Sequence, residues 1–142
     1  MATSTVPVFK NQLKTNLLAR AGLSGVQVTH GPPLPLPETD FIWLGDVKGA
    51  QDWLAMLKTK QEHYDLTVWI RALRSTTPDD FKTAGDRVFA LMAELENELR
   101  GDPTVTGTVL IAAVTGFTFR EDAAAELNQA NLEVFVNVMA QI

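Results

Sequence analysis

Apolar residues recur every three to four positions in two stretches of the chain and every second position through most of the rest. That division predicts the elements. In the first stretch Phe9, Leu13, Leu17 and Ala21 fall at four-residue spacing, with Leu18 widening the stripe and Lys10, Lys14 and Arg20 off it, the pattern of an amphipathic helix. Gly22 is the expected stop, with Leu23 folding back on the last turn. The second stretch carries Phe81, Ala84, Val88, Leu91, Leu95 and Leu99. Its start is signalled by Thr77 as N-cap, Pro78 at the first helical position, and Asp79 and Asp80 facing the positive end of the helix dipole. Gly101 closes it and Pro103 prevents continuation.

Elsewhere the period is two. Val26 and Val28 in "GVQVTHG" predict a short strand. Segments 40–47 (DFIWLGDV) and 51–57 (QDWLAML) are apolar on both alternating faces, which predicts two strands with Gly49 as the turn between them. Such strands are usually covered on both sides. Segment 63–75 is the clearest strand: Leu66, Val68, Ile70 and Ala72 face one way, and Thr67, Trp69, Arg71 and Leu73 the other. The polar residues 58–62 (KTKQE) suit the tip of a long hairpin leading into it. Segments 104–119 and 129–142 predict two final strands, through Val109, Ile111 and Ala113 and through Leu132, Val134, Val136 and Val138. Between them the acidic, Ala-rich residues 120–129 predict a loop or a single helical turn.

Proline cannot donate to a sheet ladder, so Pro32, Pro33, Pro35 and Pro37 predict an extended path outside the sheet. No Arg or Lys flanks the PxxP spacing, which argues against a signalling-domain ligand. An interdomain linker here would leave about 30 residues before it, too few for an independent core. A rigid connection between two strands remains. The elements follow the order α-β-β-β-β-α-β-β. Short links imply a mainly antiparallel sheet of five to six strands with two helices on one face, an α+β fold in a single domain over 1–142.

Composition narrows the chemistry. The chain has 142 residues, 46% hydrophobic and 20% charged, room for one folded core. Twelve Lys and Arg against seventeen Asp and Glu give a formal charge of −5, the opposite of the basic stripe that grips nucleic acid. Cysteine is absent, which removes disulfides, thiolate metal sites and a cysteine nucleophile. The first residues lack the uninterrupted apolar core of a signal peptide, and the longest apolar run, 109–114, is far short of a membrane span. The cytosol is the expected place of synthesis.

No catalytic, cofactor-binding or metal-ligating residue is expected. His30 and His63 stand alone, without a second ligand at metal spacing. Asp79 and Asp80 have the right chemistry for general acid–base work, but helix capping already explains them. Ser24 with Gly25, and Thr115 with Gly116, lack the nucleophile-elbow context, and no phosphate-binding glycine loop is present. Trp69 reads as core. Trp43 and Trp53 lie on the two-faced strands and fit either a core or a subunit interface, where Trp supplies large buried area with few rotatable bonds. Phe41, Trp43, Trp53 and Met56 are the interface candidates.

The layout resembles the tail terminator (tail completion) family of long-tailed bacteriophages, together with related minor tail and neck proteins. The likeness rests on "AGLSGVQV" after the first helix, a strand into "HGPP", the strand "YDLTVWIRALRS", the long helix "PDDFKTAGDRVFALMAELENELRGDP", the passage "LRGDPTVTGTVLIAAV", and a strand at the C-terminus. It implies a virion protein that forms a ring, usually a hexamer, on the head-proximal end of the tail tube. Its partners would be further copies of itself, the tail tube protein and a head-completion or neck protein, with no membrane involved. DNA would pass through without specific binding. Asp40, Asp46, Asp52, Glu121 and Asp122 are the candidates for an acidic channel lining, although the same residues suit loops facing solvent. A head-closure or adaptor protein is the alternative, and a small α+β hydrolase or ligand-binding domain the distant one.

Overall fold

The computed structural model describes residues 3–32, 40–54, 58–74, 80–124 and 127–142. In chain order its elements are helix α1 (Val6–Leu18), a 3-10 turn (Ala21–Leu23), strands β1 (Gln27–Thr29), β2 (Asp40–Leu54) and β3 (Thr59–Arg74), helix α2 (Asp80–Gly101), and strands β4 (Ile111–Ala124) and β5 (Leu127–Gln141). The fold is α+β: one five-stranded sheet in the order β1-β2-β3-β5-β4. Every neighbouring pair is antiparallel except β1–β2, which is parallel and makes the sheet mixed. The proline-rich segment therefore joins two neighbouring strands of one sheet. Residues 33–39 themselves lie outside the described residues, as do the expected capping residues Thr77, Pro78 and Asp79.

Both helices cover the same face. The period-two residues Ile42, Leu44, Leu66, Val68, Ile70, Leu132, Val134, Val136 and Val138 meet Phe9, Leu13 and Leu17 of α1 and Ala84, Val88, Leu91, Leu95 and Leu99 of α2 in one buried cluster. Each Val or Leu fully buried there contributes about 1.5–3 kcal/mol. The α2 stripe lands as its spacing predicts, with Met92 added and Phe81 only half-buried.

Five local expectations change. Residues 40–47 and 51–54 are not separated by a turn at Gly49; both belong to the single strand β2, whose register shifts at a bulge between Leu44 and Val47, and residues 55–57 lie outside the described residues. Gly49 stands opposite Tyr64, where an added Cβ would overlap the Tyr64 Cβ and lie 2.6 Å from the His63 carbonyl oxygen. Its glycine serves close approach rather than a turn. Helix α1 stops at Leu18, four residues before Gly22, and leaves Leu18 55% exposed and off the stripe. Gly22 instead sits against α2, where a Cβ would overlap the Glu94 carboxyl group.

Residues 104–110 are not strand. Val105 and Thr106 take positive φ, 46° and 55°, unusual for β-branched side chains, and the Asp102 carboxylate holds the turn by accepting from the Thr106 N–H at 2.7 Å. Burial of Val105 and Val109 in the core offsets that strain. Residues 120–124 extend β4 rather than forming a loop or helical turn, because each pairs with β5 as far as Ala124 with Leu127. The ladder overrides the helix preference of alanine. Likewise Thr59–Glu62, expected at the hairpin tip, already belong to β3.

Candidate interaction surfaces

The sheet face turned away from the helices carries a second, smaller apolar cluster. Phe41, Trp43 and Leu73 are buried in it and Trp69 packs on its edge. The Trp43 and Trp69 rings stack with centroids 5.8 Å apart, and the Arg71 guanidinium lies 5.1 Å from the Trp43 ring centre, a cation–π contact. Burial lowers the pKa of Arg71, while the Asp122 charge acts the other way. Arg71 donates through Nε to Asn131 Oδ1 at 2.7 Å, and Asn131 Nδ2 donates in turn to Asp122 at 3.3 Å. Beside this cluster a groove of about 490 Å³ runs past the bulge, lined by Lys10, His30, Trp43 and Asp46 among others. Lys10 Nζ donates to the Gly45 carbonyl at 3.0 Å there and so pins the bulge. The His30 pKa is lowered by burial, and further by the nearby charges of Lys14 and Lys10.

The four interface candidates therefore part company. Phe41 is fully buried and Trp43 is 7% exposed, both already covered within the chain. Trp53 is 69% exposed near the end of the β2–β3 hairpin, with Lys60 Nζ 4.7 Å from its ring centre. Met56 lies outside the described residues.

The five acidic candidates do not share a face. Asp40 and Glu121 stand level with Ala72 and Ala130 on the helix side, and Asp52 and Asp122 with Gln61 and Gln129 on the other. Asp46 sits in the bulge. Asp40 is also already neutralised: Arg74 Nη1 at 2.9 Å and Arg87 Nε at 2.8 Å bind its two oxygens. Burial acts to raise the Asp40 pKa, and the hydrogen bonds and charges of the two arginines outweigh it and hold it below the ordinary 3.8. Asp46, Asp52, Glu121 and Asp122 are exposed.

The β4 side holds a surface that the sequence pattern did not single out. Phe89 of α2 meets Phe117 and Phe119 of β4 with ring centroids 5.6 and 5.1 Å apart, yet Phe117 stays 51% exposed. At the other end of β4, Leu110 and Ile111 are about half exposed. Ile111 lines a groove of about 230 Å³ together with Glu96, Leu99, Arg100, Pro103, Ala112 and Val114. β4 is the outermost strand of the sheet and presents a hydrogen-bonding edge, which the preceding turn covers at its start, where the Ala112 N–H donates to the Pro103 carbonyl at 2.8 Å. The clue to it in the sequence is Phe117 and Phe119 alternating on a strand that also carries Ile111.

Among the described residues no group of three or more His, Cys, Asp or Glu side chains is placed to hold a metal ion, and no described helix is long and apolar enough to cross a membrane. What the geometry offers is a sheet with one helix-covered face and exposed apolar chemistry along its two edges.

The same chain fold occurs in the solved structure of the virion of a native gene transfer agent particle. One chain there superposes with a TM-score of 0.56 at 14% sequence identity, over 98% of this chain and 100% of that chain. No family profile and no curated protein sequence matches the chain.

Proposed function

We propose that the protein is a structural component of a phage-like virion, and within it the tail terminator. In this reading a ring of identical subunits, six by the family resemblance, caps the head-proximal end of the tail tube, ends its polymerisation and offers the surface to which the head is joined. The role is structural rather than enzymatic. The place of action is the head–tail junction, and the partners are the tail tube protein and a head-completion protein. The observation that carries the reading is the end-to-end match of this fold, helices and sheet together, to a chain of a virion particle. Open sheet edges flanked by exposed Trp53 and Phe117 support assembly with further subunits.

Cryo-electron microscopy of particles from producing cells tests this directly. The expected result is one ring of this chain between tube and head; deletion of its gene is expected to give tails of unregulated length that do not join heads. Particles that assemble normally without the chain would overturn the virion reading. A ring on the head side of the junction, with tube length unchanged by the deletion, would replace the terminator by a head-closure or adaptor protein.

A further inference from the structure

We propose that the α1–β1 side of one copy of this chain packs against the β4 side of the next, with Lys14 set against Glu121 and Leu18 against the Phe89–Phe117 pair. This contact rests on the ring reading above and names the two surfaces that would meet in it.

The two surfaces lie on opposite edges of the molecule and at one level. The strand order puts β1 at one end of the sheet and β4 at the other. Helix α1 flanks the β1 end: Lys10 binds the Gly45 carbonyl of β2, and the charges of Lys10 and Lys14 reach His30, the residue after β1. Helix α2 flanks the β4 end through the contacts of Phe89 with Phe117 and Phe119. Gln27–Thr29 of β1 pair with Phe41–Trp43, which stand level with Arg71–Trp69, Asn131–Glu133 and Arg120–Thr118 in turn. β1 is therefore level with the stretch of β4 between Phe117 and Glu121, and copies set side by side present one surface to the other. The β4 backbone is free there. None of the backbone hydrogen bonds outside the strand ladder reaches residues 113–124.

The chemistry of the two sides is complementary. Pro7, Asn11, Lys14 and Leu18 share one face of α1 by their spacing, and Leu18 is left exposed there. The helix carries two lysines and no carboxylate. On the other side, Phe89 and Phe117 stay 39% and 51% exposed although they touch each other. Glu121 lies beside them against α2, its Oε1 3.9 Å from where a Cβ on Gly85 would stand. Neither Lys14 nor Glu121 enters an ion pair among the described residues. Each side thus holds an unpaired charge next to wetted apolar surface, and the signs are opposite. Because the surfaces differ and face apart, the contact is heterologous: it repeats from copy to copy until a rotation closes it.

Charge exchange tests the contact without assuming a register. Lys14→Glu and Glu121→Lys are each expected to weaken self-association of the full-length chain at least about tenfold, read by sedimentation in concentrated solution. The double variant is expected to restore it, and so is an equimolar mixture of the two single variants, since each brings unlike charges together again. Lys48→Glu makes the same change in net charge on the exposed surface of β2 and is expected to leave association as it was. Leu18→Ser should weaken association while the melting temperature scarcely moves. Where the wild-type chain stays monomeric in solution, the same pattern of loss and rescue is expected in the rings it forms on tail tubes, seen by electron microscopy. Single reversals that associate like the wild type would overturn the contact, as would a loss that neither the double variant nor the mixture restores. An association that stops at a dimer would overturn it too, because each copy would keep one unused surface. Rings that persist in both single reversals would discard this contact and leave the ring reading standing, whereas rescued assemblies that remain open filaments would keep the contact and discard the closed ring. A wild-type chain without rings even on tail tubes would discard the ring reading, and the contact with it.

Discussion

Two carboxylates, one buried and one half-buried, do work that no motif announces. Helix α1 has no acidic residue in its first turn, and Glu62 of β3 supplies the missing charge from across the fold. Its Oε1 accepts from the Thr5 N–H at 2.8 Å and the Thr5 hydroxyl at 2.9 Å, and its Oε2 accepts from Gln51 Nε2 at 2.9 Å. Thr5 and Glu62 are 57 positions apart, so no local pattern could pair them. Glu62→Gln would set an amide nitrogen against the Gln51 amide and remove the charge at the helix dipole. The expected loss is about 1–2 kcal/mol, read by urea unfolding at neutral pH. Burial acts to raise the Glu62 pKa, but the hydrogen bonds from Ser4, Thr5 and Gln51 outweigh it and hold it below 4.5. A carboxyl lowered in the folded state adds stability that is complete above the unfolded value of 4.5 and is lost as pH falls through the folded value. Asp40 behaves in the same sense below 3.8. Stability should therefore decline in acid, and the decline should be shallower in Glu62→Gln. An equal acid slope in both proteins would show that Glu62 is not held in this way. Gly49 is the other residue with a hidden constraint: Gly49→Ala is expected to cost about 1–3 kcal/mol by overpacking against Tyr64, whereas a residue in a hairpin turn would tolerate the change.

At the scale of elements, whatever was coded by period was legible and whatever depended on distant pairing was not. The α2 stripe from Ala84 to Leu99, the alternation of Leu66 to Ala72 and that of Leu132 to Val138 all face the core as their spacing requires. Their signal is local, so a single chain carries it in full. Gly49 misled because a glycine between apolar runs is indistinguishable from a turn until its cross-strand neighbour is known. Residues 120–124 misled because alanine favours helix in isolation, and only the β5 partner makes the segment a strand. The parallel pairing of β1 with β2 was likewise invisible, since short strands joined by a short link default to antiparallel. β5 lies between β3 and β4, pairing with β3 from Arg74 to Gln61 and with β4 from Ala124 to Ile111. Removing residues 132–142 would take out five core side chains, Leu132, Val134, Val136, Val138 and Ala140, the first four each contributing about 1.5–3 kcal/mol against a usual total of about 5–15. It would also orphan both neighbouring strands. The truncated chain is expected to lack a cooperative thermal transition and to show exposed-core dye binding; a melt near the wild-type temperature would mean the sheet closes without β5.

For the whole molecule, the excess of apolar strand surface in 40–57 suggested an interface, but the structure spends much of it internally. Phe41 and Trp43 are buried in the second cluster, so Trp43→Asp would unfold the subunit before it could report on assembly. Only Trp53 of the described candidates combines exposure with apolar area, and the β4 edge escaped notice because an edge is a property of strand order, which spacing does not encode. Net charge is the one global property that sequence gives completely. At −5 per chain the molecule repels phosphate, and the proposed ring would multiply that charge around whatever passes through it. The cations near the bulge do not reverse this. Lys10 is tied to the Gly45 carbonyl and Arg71 to Asn131 and the Trp43 ring, and Asp46 lines the same groove. Non-specific DNA-binding proteins hold duplex with Kd of about 10⁻⁴–10⁻⁶ M at physiological salt through released counterions. This chain should show no retention of duplex DNA in a filter assay even at about 10⁻⁵ M protein, and lowering the salt should not bring it out, because there is no run of phosphate contacts whose counterions could be released. Binding tighter than about 10⁻⁶ M that weakens steeply with added salt would reverse the argument. It would mean that a basic surface forms on assembly, and that the passage gripped DNA instead of letting it slide.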